Sequence, residues 1–144
     1  MTEQQTSSEQ VIDWAVALDN AGGDEALLLD LVGPFVEEAQ ERLSQIHQAL
    51  KTQDYVLLNR AAHTLKSLLR TFGAPSAMLL AEKLEDHFAQ LATDHRAIEK
   101  GHKDPSVITP ERVAAIFADA PPMVAEFEPQ LHRVLAAAKA RLKQ

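Results

Sequence analysis

Apolar residues recur along this chain at helical spacing, and no stretch shows the two-residue alternation of a half-buried strand. The strongest run extends from Asp24 to about Lys51, with Leu27, Leu28, Leu31, Phe35, Val36, Ala39, Leu43, Ile46 and Leu50 as its apolar set. Asp24 offers its N-cap, and Pro34 inside the run predicts a kink near Asp30. Asp54 opens a second helix with Leu58, Ala61, Ala62, Leu65, Leu69 and Phe72 in its stripe. Gly73 stands where a left-handed residue ends that helix, and Pro75 starts a third with Ala77, Leu80, Ala81, Leu84, Phe88 and Leu91 inward. Ahead of these lies a short amphipathic turn over residues 11–18, with Ile12, Trp14, Ala15 and Leu18 facing the core and Gly22-Gly23 ending it. Residues 1–10 read as a disordered polar lead.

Residues 93–109 lose the period and gather glycine, proline and charge, which predicts a long loop. Thr109-Pro110-Glu111 then resembles a cap and first turn. The helix after it is broken at Pro121-Pro122 and strained at Pro129, and continues through Leu131, Val134, Leu135, Ala138 and Leu142. Short links between the long helices predict an all-α fold. It is an up-and-down antiparallel four-helix bundle with a short N-terminal helix, forming one domain over residues 11–144.

Composition narrows the chemistry. The 144 residues are 46% hydrophobic and 5% aromatic, mostly Ala and Leu, which suits helix over strand and suffices for one core. Cysteine is absent, so thiolate metal sites and thiol nucleophiles are excluded. Fourteen Lys+Arg against 21 Asp+Glu leave a net charge of −7, which argues against nucleic acid as a partner. The polar start carries no leader pattern, and no apolar run approaches the roughly 20 residues of a membrane span. A cytoplasmic monomer is the expectation, whether free-standing or excised from a hybrid kinase.

The second helix carries one unusual strip. With Leu65 turned to the core, a step of about 100° per residue puts His63 on the solvent side. Asn59, Arg60, Lys66, Ser67 and Arg70 stand at the offsets that make helix neighbours of it. Three cations along one histidine face, in an acidic protein, suit a small anion such as a phosphoryl group better than a polyanion. Read blandly, this is a solvated face with an incidental histidine.

Hairpin symmetry brings in a second helix. His63 and Glu85 each lie 11 residues from Ala74, at the turn between helices two and three. At about 1.5 Å per residue both stand about 16 Å from the turn. Glu85 then reaches the histidine ring if its helical phase allows, holding Nδ1–H and leaving the Nε2 lone pair outward. Otherwise Glu85 is one of several surface acids with Glu82 and Asp86.

Ala62-His63-Thr64-Leu65-Lys66-Ser67, followed by Phe72-Gly73-Ala74, resembles the signature of the histidine phosphotransfer (HPt) domain family. Gly22-Gly23-Asp24-Glu25-Ala26-Leu27 is similar to the family's entry to its first long helix, and Leu84-Glu85 to its mark on the third. The resemblance covers residues 11–92 well and the last helix loosely. It implies a four-helix bundle whose His63 accepts a phosphoryl group from a receiver-domain aspartate and passes it to another receiver. It also implies that Lys66 neutralises the phosphoryl charge and that Gly73 ends the helix. Ser67-Leu68-Leu69 departs from the glycine and small residues usual after the lysine. Ser67 either narrows access to the ring or donates its hydroxyl to a phosphoryl oxygen. The expected partners are response-regulator receiver domains and a hybrid histidine kinase.

An imidazole of ordinary pKa about 6.5 is largely neutral near neutral pH, so one nitrogen is free to attack phosphorus. The chain has no Walker loop, nucleotide-binding glycine motif or carboxylate cluster for Mg²⁺. It reads as a phosphoryl carrier, not an enzyme, with no cofactor of its own and Mg²⁺ expected on the receiver. Two rivals remain. One is an adaptor that keeps the fold as a docking surface. The other is a metal-binding bundle using His95, His102 and the Glu99/His102 pair, although di-iron bundles need two Glu-x-x-His pairs on facing helices.

Overall fold

The computed structural model describes residues 11–143, so the predicted lead over 1–10 lies outside the described residues. Six α-helices follow in order. They are α1 (Trp14–Asn20), α2 (Glu25–Thr52), α3 (Tyr55–Thr71), α4 (Pro75–Glu99), α5 (Pro110–Ala118) and α6 (Ala120–Arg141), with a 3₁₀ turn at Pro105–Val107. Helices α2, α3, α4 and α6 form the bundle, each packing on the next and α6 closing back on α2. Side-chain contacts fix the last direction. His47, late in α2, meets Glu128, early in α6, while Glu25 at the start of α2 meets Arg141 at the end of α6. The four helices therefore run up, down, up and down.

Local signals account for the boundaries. Asp24 and Asp54 accept the backbone N–H groups of Leu27 and Leu57, and Thr109 accepts that of Arg112. Gly73 adopts φ +71 and lies hard against α1, where its carbonyl accepts the Asp13 N–H at 2.7 Å. Phe35 of α2 stacks on Phe72 at the same turn, with ring centroids 4.1 Å apart. At the same end, the Arg141 guanidinium lies over the Trp14 ring and ties α6 to α1.

The core is one cluster, led by Leu28, Ile46, Leu58, Leu65, Leu69, Leu84, Phe88, Leu91, Phe127 and Leu131. Small Ala39, Ala61, Ala62, Ala77 and Ala81 are buried among them, allowing the helices to approach closely.

Several expectations need correction. Helix α4 runs on to Glu99, so the loop predicted over 93–109 is confined to residues 100–109. The stretch from Thr93 holds no helix breaker before Gly101, and the charge that reads as loop serves the helix instead. Asp94 is buried at 3% exposure, taking Lys103 and Arg112 (2.9 Å) as ion-pair partners and Gln90 as a donor. The Lys103 hydrogen bond leads in holding its carboxyl down, to about 2. That network pins the connection and α5 to the flank of α4, with Phe117 against Phe88 and the His87 Nε2–H donating to the Ile116 carbonyl.

In α1 the inward alanine is Ala17, whereas Ala15 is exposed and Trp14 and Leu18 are half-buried. In α2, Val32 takes the buried place, and Leu27 and Leu31 are exposed because they lie off the stripe centred on Leu28, Phe35 and Ala39. Leu50 and Leu80 are half-buried. Pro34 and Pro129 lie inside α2 and α6, which continue through them. The break before α6 falls at Asp119, and Pro121-Pro122 sit in the first turn, where a missing N–H costs nothing.

Gly73→Ala tests the turn. A Cβ there would stand 2.6 Å from the Asp13 carbonyl oxygen, in a left-handed backbone. The expected loss is about 1–3 kcal/mol, read as a lower urea midpoint with unchanged slope.

Candidate functional site

His63 lies in the middle of α3, its side chain 58% exposed, while the apolar stripe of the same helix is buried through Leu58, Ala61, Ala62, Leu65 and Leu69. Across the α3–α4 hairpin, Glu85 of α4 points at the ring. The distance from His63 Nδ1 to Glu85 Oε2 is 2.8 Å. An ionised carboxylate only accepts, so this contact puts the proton on Nδ1 and leaves Nε2 with a free lone pair. Glu85 therefore differs from Glu82 and Asp86 in having turned toward the neighbouring helix.

The second carboxylate oxygen has its own partner. Lys66 Nζ lies 2.7 Å from Glu85 Oε1, and the two side chains are only 15% and 16% exposed. Lys66 is thus not the freely exposed lysine that a helical wheel suggests. Most of its side chain is covered, and its ammonium is held by the same carboxylate that meets the imidazole. Burial pushes the Glu85 carboxyl up, but hydrogen bonds from Lys66 and then His63, with their charges, outweigh it and hold it below the ordinary carboxylate range. The result is a three-residue bridge with one carboxylate at its centre.

Arg60 and Arg70 are exposed on either side of His63 and make no ion pair among the described residues, and Ser67 is half-buried between them. The strip read from the sequence is therefore physically continuous, with Lys66 turned inward and the two arginines outward.

Beyond Arg60, α3 and α4 line a groove of about 570 Å³, with His63 and Glu85 at one end and His95, Arg96 and Glu99 at the other. His95 is fully engaged. Its Nε2 lies 3.2 Å from a Glu99 carboxylate oxygen, and its Nδ1 shares a 3.1 Å hydrogen bond with the Tyr55 hydroxyl. Burial, with the Asp54 carboxylate behind it, pushes the Tyr55 phenol up and keeps it a donor. The placement of His95 and Arg96 on α4, level with Tyr55 of α3, is hidden from the sequence because the composition of 93–109 reads as loop. The continuing helical phase from Leu91 and Ala92 was the available signal.

Among the described residues, no three His, Asp or Glu side chains gather in a way that would hold a metal ion. No described helix is long and apolar enough to cross a membrane.

Comparison with known families decides the assignment. The model of the Hpt domain matches residues 30–141, which include α3, α4 and the whole of this site. The chain belongs to the Hpt domain family. No match was found among curated proteins or among solved structures. Hpt domains are histidine phosphotransfer modules of two-component systems, phosphocarriers rather than catalysts. The match begins after Gly22-Gly23-Asp24, so α1 and the entry to α2 lie outside it.

The bridge carries a pH signature. Because the folded-state pKa of Glu85 is depressed, its contribution to stability is complete above the unfolded value, about 4.3, and is lost as pH falls through the folded value. The urea stability of the parent should exceed that of Glu85→Gln at pH 7, and the gap should close on acidification. A gap that stays constant down to acid denaturation would mean the carboxylate charge contributes nothing to the bridge.

Proposed function

We propose that this Hpt domain is a phosphorelay intermediate that takes a phosphoryl group onto His63 Nε2 from a receiver-domain aspartyl phosphate and returns it to the aspartate of a second receiver. The observation that carries this reading is the Nδ1–H contact to Glu85 on a ring that is otherwise exposed. A neutral imidazole held this way presents its one nucleophilic nitrogen to solvent, and to any partner that covers the face.

In the forward step the Nε2 lone pair forms an N–P bond as the acyl P–O bond of the donor breaks. The electron pair of that bond leaves with the donor carboxylate. Positive charge develops on the imidazole during attack, and the Glu85 carboxylate is already aligned with Nδ1–H to stabilise it. The incoming phosphoryl group brings negative charge to Nε2, beside Lys66 and between Arg60 and Arg70. Lys66, linked to the ring through Glu85, is the cation we assign to neutralise that charge.

Because transfer to or from a phosphoryl group is mainly positioning and charge neutralisation, the chain can be a carrier without a catalytic apparatus. Mg²⁺ and its carboxylate ligands belong to the receiver in this scheme. The hollow lined by Val16, Met78 and Arg70, two turns along α3 from His63, offers apolar contact to a docked receiver. The hybrid kinase, the receivers and a cytoplasmic, monomeric setting complete the proposal.

Incubation with a receiver domain pre-phosphorylated by labelled acetyl phosphate tests it. The parent should acquire acid-labile, alkali-stable label, as a phosphoramidate does. His63→Gln should fold normally and acquire none. Full labelling of His63→Gln would overturn the assignment, and a parent that binds receivers but never takes label would be a docking adaptor instead.

Lys66→Ala should slow transfer at every salt concentration. It should also cost about 1 kcal/mol of stability, because Glu85 loses a half-buried partner. An unchanged rate would transfer the neutralising role to Arg60 or Arg70. Ser67→Gly should leave transfer equal or faster if the serine only narrows access, and slower if its hydroxyl donates to the phosphoryl group.

A further inference from the structure

Asn59 lies one helical turn before His63 on α3, and its side chain also crosses to α4. Its Nδ2–H donates to the main-chain carbonyl of Glu85 at 2.9 Å, in a half-buried position. The residue that holds the imidazole is thus itself held, through its backbone, by the helix that carries the imidazole. Within the unbroken α4, the Glu85 carbonyl also faces the Ala89 N–H, so Asn59 takes its second lone pair.

The other directed contacts between these helices show what this bond does. Among the described residues, the polar side-chain bonds from α3 to α4 are Asn59 to the Glu85 carbonyl, His63 and Lys66 to the Glu85 carboxylate, and Tyr55 to His95. Three of the four converge on one residue. The buried apolar residues these two helices bring to the core, among them Leu58, Leu65 and Leu69 of α3 and Ala81, Leu84 and Phe88 of α4, make a surface that is non-directional. Such packing sets the separation of two helices better than their relative height. The bidentate reach of Glu85, to Nδ1 on one oxygen and to Nζ on the other, needs that height fixed, because hydrogen bonds weaken steeply with misalignment.

We propose that Asn59 is a positioning residue for the phosphoacceptor. It locks the Glu85 backbone level with His63, so that the carboxylate meets the ring and the lysine together and the Nδ1–H tautomer is maintained. The inference rests on His63 being the phosphoacceptor only for its consequence on rate. Its consequence on the ring stands without that reading.

The test uses the full chain labelled with ¹⁵N, with long-range ¹H–¹⁵N spectra to read the His63 tautomer. Initial rates of labelling by phosphoramidate, a small donor that needs no partner, are measured alongside. Asn59→Ala removes the donor, and Asn59→Asp keeps the shape while replacing the donor with an acceptor facing the carbonyl. The second variant keeps the test open if the first does not fold.

Both variants should shift the tautomer ratio toward Nε2–H and slow labelling, each roughly fivefold, the size expected for loss of one net hydrogen bond. Added to Glu85→Gln, Asn59→Ala should cause no further change in either readout, because the two residues act through one contact. An unchanged tautomer ratio and rate in folded Asn59 variants, with Glu85→Gln altering both, would overturn the proposal and leave Asn59 as a brace that contributes only to melting temperature. A tautomer shift in the Asn59 variants, with a parent that takes no label on His63, would uphold the positioning role and overturn the phosphoacceptor reading.

Discussion

The Glu85 carboxylate can bridge His63 and Lys66 only because α3 and α4 turn back on each other within three residues, Phe72 to Ala74, and then stay in contact. A looser turn would let α4 slide by a residue. A one-residue slip moves a side chain about 1.5 Å along the axis and about 100° around it, which would carry Glu85 off the interface. Gly73 supplies the left-handed residue the turn needs, and α1 seals it through the Asp13–Gly73 backbone bond. The short N-terminal helix thus buttresses the turn that positions the site, although none of its residues touches His63 or Glu85.

Electrostatics follow from the same geometry. The protein carries −7 overall, yet the face around His63 presents Arg60 and Arg70 without acidic partners among the described residues. The one carboxylate there is neutralised by Lys66. A carboxylate free in that position would repel an incoming phosphoryl group. Paired with Lys66 and the ring, it would in the proposed transfer hold the imidazole and stabilise positive charge on it. The inward turn of Lys66 keeps Glu85 ionised without leaving its charge open to the approaching anion.

The connection from α4 to α6 shows how a segment rich in charge becomes ordered. Asp94 takes two cations from beyond the helix end and a hydrogen bond from Gln90 within it, while Phe117 covers Phe88. The buried carboxylate is tolerable because its oxygens are satisfied. The extra length of α4 also forms the upper wall of the groove beside His63, so the same network shapes the surface a partner would meet.

The long helices and their aspartate caps, the position of His63 opposite Leu65, and the equal heights of His63 and Glu85 on the hairpin are legible in the chain alone. Each depends on local signals or on the 3.6-residue period, which a chain carries regardless of its neighbours. The end of α4 was hidden because composition near Asp94 reads as loop until Lys103 and Arg112 are brought to it from later in the chain. The burial of Ala17 in place of Ala15, and of Val32 in place of Leu27 and Leu31, depended on where neighbouring helices lie against α1 and α2. Only the tertiary structure decided that Glu85 would hold both the ring and Lys66, with Asn59 holding Glu85 in turn. Those contacts depend on the rotation of α4 about its own axis, which is set by packing Leu84 and Phe88 into a core contributed by all four helices.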